Sequence, residues 1–202
     1  MKITSHTDPF PFLYIENLYT EEELQLIFAE LDYYQSNQKI LDSNAATSSA
    51  QHEDGSSMAK RSGQFLDYIF GNREYSNILN INRKLFERGL ICQRSDNYFF
   101  RHFVPTQDFS LLSYYENADM YEPHVDQCVV SICIWLWKEP KRFEGGDFFF
   151  PDFNKRIKVQ TNHAVVFPSV IQHSVDEIQM LPEHMGKGLG RYSICNFLNY
   201  KQ

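Results

Sequence analysis

The chain has 202 residues, 43% of them apolar, enough to bury one sizeable core, and its 17 Phe and 12 Tyr favour a β-rich interior. A net charge of −7 argues against a protein that reads nucleic-acid backbones, which needs a positive surface to displace counterions, so the expected partners are peptides, proteins or small molecules. The opening "MKITSHTDPFPF" lacks the apolar core of a signal peptide and no run is long enough to span a bilayer, so the expectation is a cytoplasmic protein with no membrane partner.

In chain order, "FPFLYIE" is β-prone, and the period then changes. Thr20 and Glu23 form a capping box ahead of Leu24, Ile27, Phe28 and Leu31 at helical spacing, which predicts an amphipathic helix from about Glu21. Residues 36–63 are rich in Ser, Asn, Ala and Gln and read as a loop, either a plain linker or a lid ordered by substrate. "SNILNINRKLFERG" places Ile78, Ile81 and Leu85 on one helical stripe with Gly89 at its end.

Beyond Gly89 the pattern is β. Candidate strands are "NYFFRHF", "FSLLSYY", "CVVSICIWLW", "GDFFF", "RIKV", "HAVVF" and "RYSICNFLNY", with Pro, Gly, Asn and Asp between them. Short strands without intervening helices predict an antiparallel jelly roll, mainly β, preceded by N-terminal helices. The expected organisation is a single domain over 1–202, with helical support to about residue 95 and a β core from about 96. Cys92, Cys128, Cys133 and Cys195 form no C-x-x-C pair and read as reduced packing residues. Gly145 and Gly146 read as turn glycines without chemistry, and Trp135 and Trp137 as core.

Three H-x-D or H-x-E pairs occur, at His6, His52 and His124, where chance gives about one. His6 and His52 lie in polar segments with no rigid support. His124 and Asp126 precede a long apolar run, and residues i and i+2 of an extended chain share a face. His173, 47 residues after Asp126, is the best third ligand. Two imidazoles and a carboxylate suit ferrous iron with positions left open, and zinc is the competing reading. Arg191 and Ser193 share a strand face, and a buried guanidinium calls for an anion. A 2-oxo dicarboxylate would satisfy it and would balance iron(II), Asp126 and Arg191 to zero charge.

Together these residues resemble the iron(II) and 2-oxoglutarate-dependent dioxygenases, most closely the prolyl 4-hydroxylase-like branch. The pieces that carry the resemblance occur in order: "DPFPFLYIENLYTEEELQLI", "YYENADMYEPHVDQ", "FEGGDFFFP", "HAVVFPSVIQHSV" and "GRYSICNFL". It implies a double-stranded β-helix with His124, Asp126 and His173 as iron ligands. It also implies that Arg191, Ser193 and a tyrosine bind 2-oxoglutarate; Tyr115, nine residues before His124, fits the family pattern, with Tyr114 as the alternative. The implied reaction uses O2, with ascorbate in support, to hydroxylate a prolyl or other amino-acid residue in a peptide, or a free small molecule, with release of succinate and CO2. A non-catalytic jelly-roll binding module is the reading from another class. The chain departs from collagen-type prolyl hydroxylases in offering Arg191 where they use lysine, and in the longer separation, 18 positions, from His173 to Arg191.

Overall fold

The structure, a computed structural model, describes residues 1–37, 49–86, 91 and 97–200. Strands β1 (Lys2–His6) and β2 (Phe12–Glu16) form a hairpin that leads into helix α1 (Glu21–Ser36). The capping box closes as predicted: the Glu23 N–H donates to Thr20 Oγ1 at 3.3 Å, and Thr20 N–H donates to the Glu23 carboxylate at 2.9 Å. Next come β3 (Ala59–Lys60), β4 (Ser62–Phe65) and three short helices, α2 (Leu66–Ile69), α3 (Asn77–Ile81) and α4 (Tyr98–Arg101). Buried Glu30 docks α1 on α3, accepting hydrogen bonds from Tyr34 Oη (2.5 Å), Ser76 Oγ (2.6 Å) and Ile78 N–H (2.9 Å). With three donors around it, this carboxylate is a satisfied buried group.

The remaining strands are β5 (Gln107–Tyr115), β6 (Met120–His124), β7 (Val130–Leu136), β8 (Phe143–Gly145), β9 (Phe148–Phe150), β10 (Lys155–Ile157), β11 (His163–Pro168), β12 (His173–Val175), β13 (Ile178–Met180) and β14 (Arg191–Asn199). They build a seven-stranded sheet in the order β1-β2-β11-β7-β14-β5-β4 and a five-stranded sheet in the order β10-β9-β12-β6-β3, with β13 and β8 as a separate pair. All pairings are antiparallel, which is the jelly roll the sequence predicts.

Alternation along the strands divides the molecule into two cores. Ile132, Ile134, Leu136, Tyr192 and Ile194 pack with Ile27, Leu31, Ile78 and Leu79 of the helices. The opposite faces of the same strands carry Cys133, Trp135, Trp137, Arg191, Ser193 and Cys195, which point toward the five-stranded sheet. The candidate site residues therefore lie between the sheets, while the helices support the large sheet from behind.

The structure departs from the sequence reading in several places. "NYFFRHF" is helical over Tyr98–Arg101, because Asn97 caps it by accepting the Phe99 N–H at 2.9 Å and buries Phe100 and Phe103 at a three-residue spacing. The helix starting at Asn77 tightens to a 3₁₀ turn after Ile81, and Gly89 lies outside the described residues, as do Cys92 and 38–48 of the segment read as a loop. The rest of that segment includes a bridge between Gln51 and Ser57 and the strands β3 and β4.

Candidate functional site

His173 and His124 are directly opposite each other where β12 pairs with β6. Their Nε2 atoms stand 3.4 and 3.7 Å from the two oxygens of Asp126, and the three ligand atoms all lie within 4.8 Å of one another. Bonds of about 2.0–2.2 Å span ligand atoms up to about 4.4 Å apart, so the three converge on one ion position with at most a small closing movement. Each imidazole is aimed through its other nitrogen: His124 Nδ1 lies 2.8 Å from the Glu122 carbonyl and His173 Nδ1 3.0 Å from the Ile171 carbonyl. Those carbonyls accept only if Nδ1 carries the proton, so the Nε2 lone pairs face the cavity.

Burial pushes both imidazoles down to about 4, helped at His124 by the neighbouring His173, so both are neutral at neutral pH. The close approaches to Asp126 are thus converging ligand atoms and not ion pairs. Burial raises the Asp126 carboxyl, opposed by Ser131 Oγ, which donates to Asp126 Oδ2 at 2.5 Å. Asp126 is not on the strand that carries His124, which ends at His124 itself. It turns inward because its N–H donates to the Ser169 carbonyl at 3.1 Å and Ser131 holds its side chain, so Asp126 joins the cluster for a reason other than the i, i+2 alternation.

Arg191 is fully buried on β14, on the strand face that Ser193 and Cys195 present to the cavity, and is paired in register with Tyr115, whose ring lies 4.3 Å from the guanidinium carbon. Nη1 donates to the Gly146 carbonyl and the Tyr115 hydroxyl also acts on the guanidinium, while Nε and Nη2 make no hydrogen bond of good geometry. Gly146 adopts φ +72°, so the residue read as a plain turn glycine also presents the carbonyl that anchors Arg191. Burial pushes the Tyr115 phenol up to about 12, so it stays protonated as a donor. Tyr114 faces the other way, donating to Glu116 at 2.7 Å and accepting the Gly190 N–H at 3.0 Å, so of the two neighbours it is Tyr115 that lines this cavity. Ser193 is buried on the same wall, beside Trp135 of β7, which lines the cavity as well as filling core.

One cavity residue escaped the sequence reading. Arg61, between β3 and β4, is buried at 4% exposure with no partner for any of its three nitrogens, and its guanidinium carbon lies 5.4 Å from the centre of the Tyr121 ring. The available signal was alternation in "MAKRSGQF", where Ala59, Arg61, Gly63 and Phe65 all turn inward. Arg61 adds one positive charge to the neutral sum drawn from the sequence, and the carboxylates of Asp126 and half-buried Asp119 both feel it. A wider cleft of about 420 Å³, lined by Phe65, Tyr68, Phe109 and Val125, adjoins the inner cavity at Asp126 and Phe197. Neither His6, stacked on Phe12, nor His52, 3.2 Å from Glu122, joins the cluster.

No family model and no curated protein matches the sequence. Solved structures do match. A Pseudomonas putida prolyl-4-hydroxylase aligns with TM-score 0.56 at 15% identity over 95% of this chain and 93% of that one. The viral collagen prolyl hydroxylase of Paramecium Bursaria Chlorella virus-1, in a 2OG complex, aligns with TM-score 0.53 at 12% identity over 95% and 96%. OsALKBH1 aligns with TM-score 0.55 at 11% identity over 98% and 100%. At these identities the likeness is one of fold.

Proposed function

We propose that this chain, built on the fold of the prolyl 4-hydroxylases, is an Fe(II)- and 2-oxoglutarate-dependent dioxygenase that hydroxylates a prolyl or other amino-acid residue in a peptide or protein. His124, Asp126 and His173 would hold the metal through two neutral imidazoles and one carboxylate, which is the donor set iron oxygenases use. Bound there, iron and 2-oxoglutarate would supply oxidative decarboxylation to succinate and CO2, with one oxygen of O2 placed on a substrate carbon and ascorbate as supporting reductant.

The chain's own contribution is position. Ser131 fixes the Asp126 carboxylate, and the Glu122 and Ile171 carbonyls fix the rings of His124 and His173. Arg191, with Tyr115 and Ser193, would bind the distal carboxylate and so point the 2-oxo acid end at the triad. The adjoining cleft, bounded by aromatic rings and carrying no cation among its lining residues, suits an uncharged side chain on a peptide.

The observation that carries this reading is the Arg191 guanidinium, fully buried with two unpaired nitrogens on a sheet face shared with the triad's cavity. A module that kept a metal only for structure would not need a dicarboxylate anchor, and neither would a zinc hydrolase. The test is succinate release by the iron-loaded protein against a panel of prolyl peptides and free amino acids, with mass spectrometry for a product heavier by about 16 Da, one oxygen. Succinate with a hydroxylated product is expected; zinc retained from an anaerobic preparation, with no 2-oxoglutarate consumed, would overturn the reading.

A further inference from the structure

Arg61 is the one inner-cavity cation that the reading above leaves without a role. The chain crosses from the five-stranded to the seven-stranded sheet at this residue: β3 pairs with β6, β4 pairs with β5, and Arg61 lies between them. Because Ser62 is opposite Tyr114, Arg61 falls beside Tyr115, whose other neighbour is Arg191. A row Arg61, Tyr115, Arg191 therefore runs across three strands, with the phenol between two guanidiniums.

The two arginines differ in what they face. The Arg61 charge is felt at Tyr115 and Cys195 and also reaches His124 and Asp126 of the triad, whereas that of Arg191 is felt at Tyr115, Cys133 and Cys195. Arg61 also lies over the Tyr121 ring, which stacks 3.6 Å from the His124 ring. Arg61 is thus the cation on the metal side, and Arg191 the cation at the far end. A guanidinium with every nitrogen unpaired at 4% exposure is a charge without its counterion, which is costly unless an anion arrives. Gly63 leaves room for it, since a Cβ there would come within 1.9 Å of Arg61 Nη1. The space beside it is about 30 Å³, room for one water and too little for a five-carbon dicarboxylate. Entry of the co-substrate must shift a side chain, and no hydrogen bond holds the Arg61 guanidinium in place.

We propose that Arg61 is a second carboxylate receptor, which swings to bind the carboxylate at the 2-oxo acid end of 2-oxoglutarate while Arg191 binds the distal one. This rests on the assignment of the cavity to 2-oxoglutarate. The same guanidinium chemistry would serve a carboxylate on the substrate itself, and the choice of ligands separates the two.

The test is calorimetric binding to the full-length, Mn(II)-loaded protein, with 2-oxoglutarate and with 2-oxobutyrate, which keeps the 2-oxo acid end and lacks the distal carboxylate. Arg61→Gln should weaken both ligands alike, by about tenfold to a hundredfold. Arg191→Gln should weaken 2-oxoglutarate and leave 2-oxobutyrate unchanged. Arg61→Lys, which keeps the charge and loses the planar fork, should fall between wild type and Arg61→Gln and covers the case in which Arg61→Gln does not fold. Wild-type affinity of Arg61→Gln for both ligands, beside a weakened Arg191→Gln, would overturn the role of Arg61 alone and leave the substrate as the source of its anion. Loss confined to 2-oxoglutarate in Arg61→Gln would overturn the assignment to the 2-oxo acid end. A wild-type protein that binds neither ligand would overturn the co-substrate reading and this inference with it.

Discussion

Replacing Arg191 by methionine separates an arginine that waits for a ligand from one that holds the fold together. Removing a buried guanidinium that keeps one hydrogen bond contributes about 1–4 kcal/mol, by comparison with buried ionic groups exchanged for apolar ones. Loss of its bond to the Gly146 carbonyl costs about 1–3 kcal/mol. The two nearly cancel, so the ligand-free melting temperature should stay within about 4 °C of wild type. An arginine paired with a structural carboxylate would instead lose about 3–5 kcal/mol. With the ligand the sign changes. At 2-oxoglutarate about 100 times above Kd, the wild type gains about 2.7 kcal/mol, and a hundredfold weaker site gains only about 0.4 kcal/mol. Scanning calorimetry of the Mn(II)-loaded proteins with and without 2-oxoglutarate reads both effects. Marked destabilisation without ligand, or an unchanged ligand-induced shift, would refute the reasoning.

Ser131→Ala removes the donor that fixes Asp126, and metal affinity should fall about tenfold to a hundredfold in a chelator competition, while an unchanged affinity would assign the orientation of Asp126 to its backbone alone. The metal-free protein should lose stability as pH falls from 6.5 toward 4: His124 and His173 titrate at about 4 when folded and near 6.5 when unfolded, so the unfolded chain takes up protons first. Melting temperatures over that range should fall less in His173→Phe than in wild type, and a rise toward pH 4 would contradict the buried neutral imidazoles. Gly146→Ala places a Cβ 2.9 Å from Ile178 Cγ1 at φ +72°, so it should destabilise by about 1–2 kcal/mol in denaturant unfolding and also weaken 2-oxoglutarate through Arg191. Wild-type values in both measurements would separate this turn from the site.

The helix at Glu21 and the strands carrying Tyr115 and Arg191 were legible because caps and two-residue alternation are local signals, whereas the three-residue strand of His173 is too short to show a period. Asp126 was legible as a residue type near His124, but its inward turn depends on Ser131 and Ser169, respectively 5 and 43 residues away, which no local period encodes. "NYFFRHF" misled because its aromatic residues fit a strand as well as a helix, and tertiary burial of Phe100 and Phe103 decided between them. Arg61 was hidden for a related reason. It lies between a two-residue and a four-residue strand, its neighbours Lys60 and Ser62 are polar, and only the pairing of those strands with β6 and β5 turns the guanidinium inward. The anchoring role of Gly146 depends on a contact with Arg191, 45 residues later in the chain.

Succinate formation from 2-oxoglutarate by the Fe(II)-loaded wild type, measured beside Asp126→Ala under the same conditions, tests the central claim most directly. The triad and its cavity predict metal-dependent succinate from the wild type and none from a folded Asp126→Ala protein. Equal succinate from the two, or none from the wild type across the peptide and amino-acid panel, would contradict the assignment.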